Sequence, residues 1–551
     1  MRIETQPVEY QTMVVGGAPV VKRLLDRLGV AQAIDSALRY QPDIPTTYGT
    51  LAQVIIVNRM TFQPRPLYGI AEWAAQHGID RLFDLQAAWL DDDRLGALLD
   101  GLAKQQVTIW TTLLTTAVQR CHLDLEWLHA DTTSIYFEGA YQENGQPKGG
   151  GERIPRLVEG YNKDGQRQKA QLVLSLITTG RIPLWFRPWD GNQSDDAVYL
   201  ADMTELRKTL LAPANAVLIG DRKLCNTTTL LAFSRQRQQF VAAHPWTPTA
   251  QATWRTTWCD LQAGQLHWTD VDYVSRNNAS KPAAQRPHYR VCEVEHVLTD
   301  PETGQVYPLR WIFSWSSEKA RQDAEKRAKA LEAGVKGLER IRRLLGKYSY
   351  TTRARIEARV ERTLRKAKAQ AYLGVTLVEP TAEQGWSLQW AMRQEALAEA
   401  VCFDGVALLC SNVPQERLSA GGVMVKYKSQ VNVEQTIDFI KSPVQIRPLW
   451  LHSPQRIAGL TLLIMIAVLV ATLLEQAVRR WLAQTGQVLE GLMPEKRDNA
   501  HPTATALLRA FADYAWVVVR QVDGVEEVHH PRLRPVQQQI WDILDLSLPS
   551  G

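Results

Sequence analysis

Residues 123–139 read LDLEWLHADTTSIYFEG, and this stretch sets the class of fold. Its Trp, Ile, Tyr, Phe and threonines favour a pleated, half-buried strand. The apolar segment LEWLHAD brings one acidic residue, Asp131, to its end. Working outward, 169–191 (KAQLVLSLITTGRIPLWFRPWDG) reads as a further strand or hairpin, and 215–224 (NAVLIGDRKL) as a short apolar strand closing in a polar turn. A helix-like LLAFSRQRQ and another strand, QQFVAAHP, follow. Strands alternating with helical stretches predict an α/β sheet with covered faces.

The flanks have other textures. Residues 1–118 carry apolar spacings of three and four (VVKRLLDRLG, AQAIDSAL, YGTLAQVIIVNRM, PLYGIAEWAAQHG, DDDRLGALLDGLAK), which predicts an all-helical N-terminal domain. Such a domain binds DNA, or only packs or dimerises; both readings stay open. LHWTDVDYVSR, HYRVCEVEHVL and VYPLRWIFSW alternate as antiparallel strands, and basic helices follow them. CFDGVALLCSN then returns to the α/β texture, and KYKSQVNVEQTIDFIKS reads as one helix. Residues 246–385 therefore read as an insertion, mainly β with basic helices. It splits an α/β core of 119–245 and 386–480, and 481–551 forms a C-terminal helix and hairpin region able to dimerise. Within that region WVVVRQVDGVEEVHH signals a hairpin turning at Asp523-Gly524.

Composition narrows the classes. A length of 551 residues allows about three or four domains of about 150 residues. With 45% apolar and 22% charged residues, global disorder and fibrous repeats are excluded. Six cysteines (121, 225, 259, 292, 402, 410) form no CxxC pair, so a zinc ribbon and a disulfide framework lack support. Reduced thiols in a cytoplasmic protein are expected, and the first residues lack the pattern of a secretory signal. Ser317–Gln370 holds 17 Lys and Arg against 7 Asp and Glu, a local excess of +10 in a chain of net charge +5. That segment reads either as a solvated helix pair laced by i,i+4 ion pairs or as a phosphate-tracking surface. Ile457–Leu474 is an uncharged run of eighteen residues, at the lower edge of a membrane span. It is solitary and near Lys441, and a core helix buried on all sides gives the same pattern.

Three carboxylates sit in informative contexts. Asp131 closes an apolar segment, Asp221 directly follows the strand AVLIG, and Glu434 lies on the helix NVEQTIDFIKS. Held together, they would repel unless hard cations neutralised them. Two Mg²⁺ ions about 3.5–4 Å apart would do so and would support phosphodiester chemistry. An Asp after a strand is also a common turn former or helix cap. Lys441 follows Glu434 by seven residues, two helical turns, which suits a metal-and-phosphate face or, equally, a solvent-facing stripe. Tyr427 lies seven residues before Glu434, and Gln430 four before it.

Tyr427-x2-Gln430-x3-Glu434-x6-Lys441 resembles the Y-x2-R-x3-E-x6-K signature of bacterial DDE transposases in the IS-four superfamily. HADTTSIYFEG is similar to the first-Asp motif of one branch of long members, VLIGDRKLCNTTTLLAFSRQRQQFVAAHP to the second-Asp region, and DGVALLCSN to the strand before the Glu helix. GYNKDGQRQKAQLVLSLIT and WDGNQSD resemble the segments between the two aspartates. The resemblance implies an RNase H-like core, with Asp131, Asp221 and Glu434 binding two Mg²⁺ that Mn²⁺ can replace. It implies Tyr427, Gln430 and Lys441 at DNA phosphates, although glutamine at 430 lacks the charge and fork of the family's arginine. It implies double-stranded DNA as partner, both transposon ends and target, and a homodimer in the active complex, with no membrane. A tryptophan of the insertion (Trp254, Trp258, Trp268, Trp311, Trp315) would stack on an unpaired base or simply fill the core. The competing readings are an RNase H-like nuclease without strand transfer, a non-catalytic DNA-binding derivative, and a membrane protein built on Ile457–Leu474.

Overall fold

The computed structural model describes residues 9–39, 42–61, 64–137, 155–160, 169–193, 198–209, 213–381, 384–441, 451, 453–492, 499–521 and 525–547. The chain forms two compact units. Unit 1 joins Met1–Gly220 to Ser429–Gly551, and unit 2 is Asp221–Lys428.

Unit 1 opens with β1 (Glu9–Val14) and the helices α1 (Ala18–Leu28), α2 (Val30–Ala37), α3 (Tyr48–Met60), α4 (Ile70–Gln76), α5 (Ile79–Leu82), α6 (Asp92–Lys104) and α7 (Gln106–Cys121). Strands β2 (Trp127–Tyr136), β3 (Gln171–Thr179), β4 (Ile182–Asp190) and β5 (Val217–Gly220) follow, with helix α8 (Val198–Thr209) before β5. Beyond unit 2 the chain returns to unit 1 with α15 (Val431–Lys441), α16 (Pro454–Thr485), α17 (Ala504–Arg509), β13 (Ala515–Arg520), β14 (Glu526–His529) and α18 (Pro535–Ser547). The strands run in the order β4-β3-β2-β5. β2 is antiparallel to β3 and parallel to β5, so the sheet is mixed. All but the last residue of β3 are buried, as both-face coverage requires.

Helix α16 organises the rest. Ser453 caps its start, Pro454 fills its first turn, and Gly486 ends it in the left-handed region at φ 67°. Residues 457–474 are all buried. The helix passes the length and composition test for a membrane span, yet that apolar window lies wholly inside the protein. Helices α1, α3, α6, α7 and α18 pack on it, as does β4. The separate all-helical domain expected at 1–118 is therefore corrected: its helices share one core with α16, and β1 pairs antiparallel with β13. A helix apolar on every side needs neighbours on every side, and residues 1–118 supply several. The C-terminal region, expected as a dimerisation element, supplies β13 and α18 within the chain. Its hairpin forms as β13–β14, while Asp523-Gly524 lies outside the described residues.

Unit 2 contains α9 (Thr227–Arg235), β6 (Gln239–Ala243), α10 (Pro248–Gln262), β7 (Thr269–Val271), β8 (Tyr289–Thr299), β9 (Val306–Ser316), α11 (Ser317–Leu344), α12 (Arg353–Ala367), β10 (Leu373–Val378), β11 (Ser387–Met392), α13 (Gln394–Cys402), β12 (Val406–Ser411) and α14 (Ala420–Lys428). Its five-stranded sheet is antiparallel, in the order β6-β12-β9-β8-β7. This changes the expected insertion. β8 and β9 do not form a module apart, because β12 lies between β9 and β6 in one sheet. Residues 248–262, expected as part of a strand region, form a helix started by Pro248 and capped by Thr247. The part with its own core is the α11–α12 hairpin with the β10–β11 pair, built on Leu338, Ile341, Ile356, Leu364, Leu373 and Leu388.

Candidate functional site

The site is best described from β2. Its ladder with β5 pairs Trp127 with Val217, Leu128 with Leu218 and His129 with Ile219. Paired residues are thus 90 apart in sequence, and so are Asp131 and Asp221. Asp221 follows the last residue of β5 directly. Opposite-facing pairing continues along β3, where Asp131 stands across from Leu176.

Where the β5 ladder stops, two consecutive residues of the chain return to β2. Ser429 Oγ lies 2.7 Å from Nε2 of the buried His129. Gln430 Nε2 donates to the Ala130 carbonyl at 2.7 Å. Gln430 is only 6% exposed. These bonds fall immediately before Asp131 and at the entrance to α15, whose face packs along β2. Glu434 is one turn beyond Gln430 and exposed, and Asp438, exposed as well, is one turn further. A second tie fixes the middle of α15. Thr436 Oγ1 donates to the Arg181 carbonyl at 2.9 Å, and the Arg181 guanidinium pairs with Glu475 of α16. Glu475 is 2% exposed and also accepts from the Ala504 N–H at 2.8 Å and pairs with Arg479 at 3.1 Å. Buried charge is tolerated there because the Glu475 carboxylate faces two guanidinium groups and a backbone N–H.

The one helix expected over 426–442 is two. α14 ends at Lys428 and α15 begins at Val431. The break is where Ser429 and Gln430 turn their side chains to β2. Tyr427 therefore lies on α14, in the other unit from Glu434, and the seven-residue spacing does not place them on one helical face. Lys441 closes α15, two turns from Glu434. Gln430, expected at a DNA phosphate, is corrected to a buried side chain holding the Ala130 carbonyl.

The two aspartates also make local bonds. Asp131 Oδ1 accepts from the Thr132 N–H at 2.7 Å, and Asp221 Oδ1 from the Lys223 N–H at 3.1 Å. Asp221 thus does form a turn, but a carboxylate with two oxygens keeps further acceptor capacity. Carboxylates are the hard donors that Mg²⁺ takes. Even so, among the described residues no group of three or more His, Cys, Asp or Glu side chains is placed to hold a metal ion. The donor types fit such an ion.

Sequence reasoning passed over two further carboxyls. Asp438 shares the Glu434 face, and its i,i+4 spacing was the available signal. Asp202 on α8 is buried and accepts from Trp185 Nε1 at 3.2 Å. Burial pushes its pKa up to about 7, against the lowering effect of bonds from Ser175 and Trp185.

Residues 10–115 match a family described as a domain of unknown function (DUF4277). No curated protein matches the chain. Among solved structures, the chain is similar to the piggyBac transposase in a synaptic complex with hairpin DNA, at 8% identity and a TM-score of 0.36, over 92% of this chain and 82% of that one. It is also similar to the Mos1 transposase in a paired-end complex with the left transposon end, at 11% identity and a TM-score of 0.15, over 36% of this chain and 60% of that one. The Mos1 strand transfer complex gives 11% identity and the same TM-score, over 41% and 66%.

Proposed function

We propose that the protein is a DNA transposase that binds the terminal inverted repeats of its own insertion sequence, cleaves their 3′ ends and joins them to target DNA. Asp131, Asp221 and Glu434 are the proposed catalytic carboxylates and the ligands of two Mg²⁺ ions, with Mn²⁺ as substitute. Tyr427 and Lys441 are the proposed DNA contacts, and Gln430 acts as a positioning residue. In the first step water attacks a phosphodiester and releases a 3′-hydroxyl; in the second that hydroxyl attacks a target phosphodiester and displaces a 3′-oxygen. The active complex is proposed to be a homodimer on double-stranded DNA in the cytoplasm.

The observation that carries the reading is the Ser429–Gln430 clamp, which sets the Glu434 helix beside β2 immediately before Asp131. The shared 90-residue offset supports Asp221 as the second carboxylate. The sequence resemblance supplies the activity. Glutamine at 430, where the family signature has arginine, leaves room for one alternative, a non-catalytic DNA-binding derivative.

The test is cleavage of DNA carrying the native flanking sequence with Mg²⁺. Wild type is expected to cut at the repeat ends. Asp131→Ala, Asp221→Ala and Glu434→Ala are each expected to lose more than the roughly 10–100-fold that removal of an outer-shell partner costs, with DNA binding retained. Near-normal cleavage by any one removes that residue from the assignment. Tight binding without cleavage by wild type selects the non-catalytic derivative, and cleavage without joined products selects a nuclease.

A further inference from the structure

We infer that one face of α12 is a rail for the sugar-phosphate backbone of double-stranded DNA, formed by Arg355, Arg359, Arg362 and Lys366. The inference rests on the DNA reading above and deepens it, by separating this face from the rest of the basic segment.

The spacing i, i+4, i+7, i+11 places the four cations within a strip about 60° wide and about 16 Å long, by helix geometry. All four are exposed, and none makes an ion pair or hydrogen bond among the described residues. The apolar residues Ile356, Val360, Leu364 and Ala367 occupy a different face, packed into the hairpin core. The remaining flank is already neutralised, by Arg353 with Glu357 at 2.9 Å and by Arg365 with Glu361. So the strip is not a side effect of packing, and no carboxylate on its own helix answers it.

Most of α11 differs. Its Lys319, Arg321, Lys326 and Lys336 are held by Asp323, Glu318, Asp323 and Glu332, and Arg327 pairs with Asp404 at 2.5 Å. The solvated-helix reading applies to these five, and Arg342 lies over the Trp390 ring. On α12, like charges one turn apart repel one another in the free protein. A polyanion relieves that repulsion. The strip has no aromatic or aliphatic side chain, which argues against a lipid surface or an apolar peptide. A row of cations along a rod matches a duplex, which carries one phosphate per about 3.4 Å of each strand. Such contacts follow the backbone and carry no sequence information.

The experiment compares full-length wild type with the quadruple variant Arg355→Gln, Arg359→Gln, Arg362→Gln, Lys366→Gln, and with a control, Arg321→Gln, Lys336→Gln. Binding of a 30-base-pair duplex is titrated from 50 to 200 mM salt, once with repeat-end sequence and once with unrelated sequence. The quadruple variant is expected to lose roughly three to four units of salt slope, so that its loss at 50 mM exceeds that at 200 mM by roughly 100-fold. The loss should be equal for both sequences, and the control should match wild type. Matching circular dichroism spectra and melting temperatures establish that the variants fold. An unchanged slope in the quadruple variant overturns the rail while leaving the transposase reading intact. An equal loss in the control also overturns it, in favour of diffuse charge. Failure of wild type to bind either duplex sinks the underlying DNA reading instead.

Discussion

Gln430 illustrates how a residue legible as a motif position acquires its role from the fold. In the sequence it marks a departure from an arginine signature. In the structure its amide closes the Ala130 carbonyl at the point where β2 loses β5. That Asp131 lies on a strand and Glu434 on an apolar-faced helix was legible from local context, although β2 does not end at Asp131 but runs on to Tyr136. The clamp was not, because its partners are 300 residues away. Gln430→Ala leaves a buried carbonyl unpaired and is expected to lower stability by about 1–3 kcal/mol, read from urea denaturation. A change under a few tenths of a kcal/mol would mean that the bond does not anchor α15.

At the scale of elements, the periodic signals were the dependable ones. The run 457–474 lacks a polar face and became a helix buried along that whole run; the 516–530 alternation became a hairpin. Pairing partners were less legible, since nothing in the sequence of β9 points to the distant β12 as its second neighbour beside β8. Helix α16 also crosses α6 so closely that a Cβ on Gly459 would stand 2.1 Å from the Leu99 carbonyl oxygen. Gly459→Ala should therefore cost about 1–3 kcal/mol by overpacking, although glycine is the poorer helix former. A stabilised variant, with a higher melting temperature, would show that the two helices move apart freely.

For the whole molecule, the sequence reading set an insertion at 246–385 within a core of 119–245 and 386–480, between separate end regions, whereas the structure joins both end regions to one unit around 221–428. Unit 1 takes both ends of the chain, and only its contacts reveal that. A chain ending after Thr503 lacks α17, β13, β14 and α18, which uncovers part of α16 and removes the Asp545 partner of Arg23 and Arg27. In hydrogen exchange, protection of α1 and α16 is expected to fall, while 221–428 keeps its own. Unaltered protection in α16 would show that the helical core needs no C-terminal cover.

Val14 and Ala515 face each other in the β1–β13 ladder. A ribosome adding about 5–20 residues per second needs roughly 25–100 s to travel from one to the other. Throughout that time β1 waits with an open edge of the kind that recruits wrong partners, while 221–428, contiguous in sequence, emerges entire. The unit that carries Asp131 and Glu434 is thus the first to be started and the last to be finished.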